Sequence, residues 1–233
     1  MKEYFLTLPL VWVFLTLAVY FFAQKVHRKL KWALATPIFI TVLVLILLLL
    51  ALDINFETYD KGGQYISFFL GPSVVALGVL FHEKYDEIKS NLIPFFTAVT
   101  IGGVSSIFIV LLSLIWLESP GFIVRSLAAK SVTTPIAIEI TKLVSGIPAI
   151  TAAVVIAVGI FGNAFGIHIL RIFGIKSETA IGTALGTASH GIGTARALDI
   201  GRSAAAYGGL AICINGVATA ILTPLILDWF SFL

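Results

Sequence analysis

Gly186-Thr-Ala-Ser-His-Gly-Ile-Gly-Thr-Ala-Arg196 lies in a stretch apolar enough to be read as a membrane span, yet a lipid-facing helix would avoid much of it. Two other stretches are broken in the same way: Phe69-Leu-Gly-Pro-Ser-Val-Val-Ala-Leu77 and Ser131-Val-Thr-Thr-Pro-Ile-Ala137. Backbone that leaves the helix inside a bilayer loses hydrogen bonds, and each unpaired group costs several kcal/mol. Such breaks persist where protein or a water-filled cavity surrounds them, which is where membrane proteins bind polar solutes. The pattern predicts an all-α polytopic membrane protein with discontinuous, broken or re-entrant helices, and it points to a transporter.

Composition agrees with that class. Hydrophobic residues make up 59% of the 233-residue chain and charged residues 12%, about half the charge of a soluble domain. Uncharged runs such as 92–117 and 203–227 exceed the roughly 20 residues that cross a hydrocarbon core. No alternating pattern of about ten residues recurs, which excludes a barrel. Cys213 is the single cysteine, so no internal disulfide forms. The net charge of +3 comes mostly from Gln24-Lys-Val-His-Arg-Lys-Leu-Lys-Trp32, a cytoplasmic connector by the positive-inside rule. No nucleic-acid partner is implied.

The spans read from the sequence are Phe5–Ala23, Ala33–Leu52, Ile66–Phe81, Leu92–Leu117, Ser131–Ser145, Ile147–Ile172, Thr179–Leu198 and Ser203–Phe230. The first is read as a retained span: its basic cluster follows rather than precedes it, and no small-residue cleavage site ends it. The loop Asp53–Tyr65 carries three acids against Lys61, which places it and the N-terminus outside. Ser131–Ser145 is too short to cross at ~1.5 Å per residue, so the number of spans is seven or eight. One integral membrane domain covers 1–233: N-terminal spans at 1–65, a first broken-helix unit at 66–117 and a second at 131–233. An inverted repeat is suggested by Ile93-Pro94-Phe-Phe-Thr97-Ala98 against Ile147-Pro148-Ala-Ile-Thr151-Ala152. Gly71–Gly78 against Gly186–Gly193 is a second, equally faint match.

Thr134-Pro135 reads as a helix start, with the threonine hydroxyl as cap and the proline at the first helical position. A helix beginning part-way through the membrane turns a positive dipole end towards the cavity, which suits a carboxylate. Ser131, Thr133 and Thr134 add hydroxyls there. Glu139 follows at apparent membrane depth, where a carboxyl is costly unless paired, hydrated or protonated; it and Lys142 otherwise sit near water. In Gly186–Arg196, glycines permit close packing or an unwound turn. His190 can bind an anion or relay a proton, and Arg196 can hold a carboxylate bidentately or snorkel to the cytoplasmic face with Arg202. Gly71, Pro72 and Ser73 read as a structural break. Asn163 and Asn215 read as helix-to-helix bonds. The scattered histidines and lone cysteine lack metal-ligand spacing, no cofactor is implied, and no enzymatic activity is expected; the adjacent Ser189-His190 pair leaves only an intramembrane hydrolase as an enzyme alternative.

Through Leu70-Gly-Pro-Ser-Val-Val-Ala-Leu77, Lys130-Ser-Val-Thr-Thr-Pro-Ile-Ala137 and Gly186-Thr-Ala-Ser-His-Gly-Ile-Gly-Thr-Ala-Arg-Ala197, the chain resembles the LrgB/CidB family. These are antiholin-like, or effector-of-murein-hydrolase, proteins. The resemblance runs over nearly the whole chain, with Leu-Gly at 70–71 where the family pattern has Leu-Ala. It implies a multi-pass protein of the bacterial inner membrane acting with a small LrgA/CidA-type partner. It also implies a link to autolysis control or, as in the related plastid glycolate/glycerate translocator and bacterial pyruvate-uptake systems, carboxylate transport. The expectation is a secondary transporter of small monocarboxylates, assembled as a homo-oligomer. Its substrate site is expected at Ser131, Thr133, Thr134, Pro135, Ser189, His190, Gly191, Gly193, Thr194 and Arg196, with Glu139 and His190 for proton coupling. The alternative is a holin/antiholin-like regulator of murein hydrolase activity that acts by oligomerisation.

Overall fold

The computed structural model describes residues 8–30, 35–69, 72, 75, 76, 79, 82, 83 and 85–230, with backbone alone at 87 and 88. All regular structure among them is helical. The chain divides into two compact units, Met1–Ala76 and Leu77–Leu233.

In the first unit, α1 (Pro9–Leu30) packs against α2 (Pro37–Ala51) and α3 (Phe56–Ser67). α2 starts where Thr36 caps it, its hydroxyl accepting from Phe39 N at 3.3 Å, with Pro37 at the first helical position. His27 Nδ1 donates to Ala35 O at 2.8 Å, tying the last turn of α1 to the residue before the cap of α2. α3 approaches α1 through Gly62: a Cβ there would fall 2.6 Å from Trp12 Cβ. Tyr59 meets the buried Trp12 ring edge-on at 5.9 Å. Asp53–Tyr65, expected as a loop, is therefore mostly α3. Glu57 is exposed and Asp60 half-buried on this helix, while Tyr59 and Gly62 face α1. The basic connector is likewise helical up to Leu30.

The second unit contains α4 (Tyr85–Ser90), α5 (Leu92–Trp116), α6 (Gly121–Leu127), α7 (Thr134–Leu143), α8 (Pro148–Ile172), α9 (Glu178–Ala197) and α10 (Arg202–Trp229). α5, α8 and α10, together with α1, are long and apolar enough to cross a membrane. α5 and α10 run side by side in the same direction: Phe95 meets Tyr207 at 5.4 Å near their starts, and Phe108 meets Phe230 at 6.2 Å near their ends. Trp116 and Trp229, 82% and 75% exposed, sit at their C-terminal ends as interfacial aromatics do.

Two elements in this unit fold back. The chain turns between α6 and α7 at 128–133, and the Ser126 hydroxyl accepts from Ile147 N, just beyond α7, at 2.7 Å. Val124 and Val144 share one apolar cluster, so the chain beyond α7 comes back to the level of α6. The span expected at Ser131–Ser145 is thus a ten-residue helix, Thr134–Leu143, about 15 Å long and ended by Ser145 at φ 58. α9 leaves helical geometry at Ser189 (φ −132, ψ 15) and His190 (φ 43, ψ −144). Beyond that point it returns. A Cβ on Gly193 would lie 3.3 Å from Leu185 O, and the Glu178 carboxylate at the start of α9 abuts Gly201 beyond its end. A straight helix of 20 residues would hold its ends about 28 Å apart. Thr179–Leu198 is therefore a hairpin of two half-helices rather than one crossing. Among the described residues four helices are long and apolar enough to cross a membrane, and Pro37–Ala51 is a shorter apolar helix. Half of Ile66–Phe81, including Gly71 and Ser73, lies outside the described residues; Pro72 is helical and exposed.

Candidate functional site

α9 is buried on most of its surface because small residues let its neighbours approach. At Gly186 a Cβ would run into Gly208 O of α10, so backbone touches backbone. On the other side Gly162 of α8 makes room for Ser189, and Gly159 for the His190 ring. The break is consequently held from α8. His190, 3% exposed, donates from Nε2 to Val155 O at 2.9 Å. Asn163 Nδ2 donates to Ile192 O at 2.9 Å, taking up a carbonyl beside the break. Thr194 Oγ1 donates to His190 O at 2.8 Å.

Asn215, near the middle of α10 and 1% exposed, joins the two turns. Its Nδ2 donates to Thr187 O at 2.9 Å and to Ser131 O at 3.4 Å. Thr219 Oγ1 donates to its Oδ1 at 3.4 Å, and Gly103 of α5 provides the space for that oxygen. The α6–α7 turn and the α9 turn therefore meet at one amide, between the middles of α5 and α10. Ser131 Oγ is 2.7 Å from Ser106 Oγ of α5. Lys130 Nζ donates to both hydroxyls, at 3.2 and 3.1 Å.

A cavity of about 480 Å³ leads to this place. One wall is the α5 face Asn91, Phe95, Ala98, Gly102 and Ser106, and the other is Thr179, Thr183 and Thr187 of α9, with Tyr207 of α10. Thr183 and Thr187 donate to the carbonyls four residues back, which leaves their oxygens as acceptors towards the cavity. The lining is otherwise apolar, as in sites for small organic solutes.

The residues expected from sequence separate into groups. Ser131, Ser189, His190, Gly193 and Thr194 are buried around the two turns. Thr133 and Thr134 are half-buried at the start of α7, and Pro135 and Gly191 are exposed. The cap of α7 is Thr133 rather than Thr134, and its hydroxyl makes no capping bond; Pro135 is then the second helical residue. The backbone turns one residue earlier because Ala137 N bonds to Thr133 O. Glu139 is exposed and paired with Lys142 at 2.7 Å. Arg196 is paired with Asp199, one turn on. Neither is gathered with His190. Lys130, Ser106 and Asn215 were not singled out by the sequence as solute-site residues. For Lys130 the available signal is a cation directly before Ser131; for Ser106 there is none, since its role depends on α5 lying against the α6–α7 turn. Asn215 bonds helix to helix, as its residue type suggested.

The sequence matches the LrgB-like family over residues 16–229. The chain belongs to that family. Its relatives include the protein YwbG of Bacillus subtilis (strain 168), 30% identical over 220 residues, which covers 94% of this chain and 98% of the relative. The antiholin-like protein LrgB of Bacillus cereus (strain B4264) is 30% identical over 198 residues, covering 85% and 86%. That of Bacillus anthracis (strain CDC 684 / NRRL 3495) matches to the same extent. No solved structure matches this LrgB-like chain.

Proposed function

We propose that this LrgB-like protein is a secondary transporter of small monocarboxylates, such as pyruvate, glycolate or a similar 2-oxo or 2-hydroxy acid. It would work in the bacterial inner membrane with a small LrgA/CidA-type partner. The observation that carries this reading is the meeting of two fold-back turns at Asn215, at the end of the cavity between α5 and α9. Irregular backbone at mid-helix depth is stable only beside protein or water, and transporters use it to bind solutes. The solute's carboxylate would sit beside Ser131 and Ser106, near the start of α7, whose dipole favours a negative group. Its short apolar end would lie against Ala98 and Phe95. His190, buried beside the break, is the group for proton coupling. The α6–α7 and α9 hairpins would then rock against α5 and α10 to expose the site alternately.

Uptake of labelled pyruvate and glycolate into proteoliposomes, with the partner present, tests the reading. Saturable uptake supports it, and absence of saturable uptake for every small carboxylate would sink it.

A second reading has one specific support, the name antiholin-like carried by the relatives from Bacillus cereus and Bacillus anthracis. A lysis regulator that acts through oligomerisation needs outer packing surfaces and no buried polar site. On that reading His190→Ala leaves a lysis phenotype unchanged, while changes on lipid-facing helix surfaces abolish it.

A further inference from the structure

We propose that Lys130, Ser131 and Ser106 form an anion-binding site at the inner end of the cavity, and that Lys130 supplies the positive charge selecting a carboxylate. The inference deepens the carboxylate-transport reading and rests on it for the identity of the ligand. The site itself rests on geometry. Ser106 lines the cavity, and Lys130 Nζ reaches its Oγ at 3.2 Å and Ser131 Oγ at 3.1 Å, with the two oxygens 2.7 Å apart.

The protons of this triangle can be counted. An ammonium has three N–H donors and each serine one O–H. Two of the ammonium hydrogens go to the serine oxygens, and one serine hydrogen joins the serine pair. One N–H and one O–H remain, and no acceptor takes them among the described residues. No carboxylate pairs with Lys130 among those residues either, whereas Lys142, Arg196 and Arg202 each have one. A carboxylate presents two acceptor oxygens on one carbon, which matches two donors on adjacent atoms. Charge-assisted bonds of this kind are the strong ones. A half-buried lysine without a counter-charge is costly to hold, and a bound anion removes that cost.

This assignment replaces Arg196 as the selecting cation. Arg196 already has Asp199 as its partner, while Lys130 stands at the turn that Asn215 holds against α9 through Ser131 O and Thr187 O. An anion bridging Lys130 and Ser106 would tie the α6–α7 turn to α5, so occupancy would bear directly on how that hairpin moves.

The test measures thermal unfolding of the full chain in detergent at constant ionic strength, titrated with sodium pyruvate and, separately, sodium chloride. Pyruvate should raise the Tm saturably. Lys130→Met should abolish the rise and Lys130→Arg should keep it. Ser106→Ala should shift the midpoint at least about tenfold, the scale of one lost charge-assisted bond. A merely structural triangle would lower the Tm of the variants without altering the pyruvate midpoint, and that result would overturn the proposal. A flat wild-type response, or a chloride response with the same midpoint, would overturn it as well. If Lys130→Met does not fold, the Ser106→Ala midpoint decides. Proteoliposome uptake is read separately, so binding without transport refutes the transporter while leaving the anion site standing.

Discussion

His190 holds φ 43 and ψ −144, a conformation that costs a residue with a Cβ about 1–3 kcal/mol. The strain persists because the ring bonds Val155 O and Gly159 opens a space for it. Replacing it by alanine removes the bond and keeps the strain, a loss of about 1–2 kcal/mol. His190→Gly removes the same bond but relaxes the backbone, so it should be the more stable of the two by about 1 kcal/mol. Unfolding in detergent compares them, and a glycine variant no better than alanine would refute strain at this position. Asn215 offers a second measurement. Asn215→Ala strips a donor from Thr187 O and Ser131 O, and should cost about 2–3 kcal/mol while loosening both turns to proteolysis or hydrogen exchange. At this scale the sequence identified the special residues around 186–196 by their types alone. It could not assign partners: Arg196 and Glu139 had the right chemistry for a site but found surface counter-ions one turn away.

α9 shows what an element's sequence does and does not contain. Glycines, hydroxyls and a histidine in one apolar stretch signal a departure from straight helix, but the same residues would serve a kink, an unwound turn or a reversal. The reversal is decided by what packs on each leg: Gly208 O against Gly186, Ser189 against Gly162, and Leu185 O against Gly193. Gly186→Val would drive a side chain into the Gly208 carbonyl, which cannot move aside without parting α9 from α10. A loss of about 3 kcal/mol or failure to fold is expected. Gly191 faces open space, so Gly191→Ala should change stability by no more than about 1 kcal/mol in either direction. Thermal unfolding of the pair separates close-packing glycines from glycines that merely permit a turn. By contrast, α5, α8 and α10 were legible to within a residue or so, since a long uncharged run has no other stable form in a bilayer. α6 was missed, being a seven-residue helix too short to show a period.

At the scale of the whole molecule, the acids of α3 and the bases ending α1 predict a direction across the membrane. By the positive-inside rule the α1 end should be cytoplasmic and α3 external. In a Cys213→Ser background, Glu57→Cys should label with a membrane-impermeant maleimide from outside intact cells, and Lys29→Cys only after the membrane is opened. The reverse pattern would invert the topology.

The amino-acid sequence alone settled the class: an apolar, charge-poor chain with long uncharged runs must bury its backbone hydrogen bonds in helices, and the stretches at 131–137 and 186–196 mark where something other than lipid must surround the backbone. The family followed from motifs within the same stretches. What only the tertiary structure decided is which way the breaks turn and what they enclose. Those outcomes depend on contacts between residues far apart in the chain, Asn215 with Ser131 and Thr187 and Lys130 with Ser106. Local propensity has no knowledge of such contacts, and the packing of small residues between α8, α9 and α10 brings the chain's remote parts together.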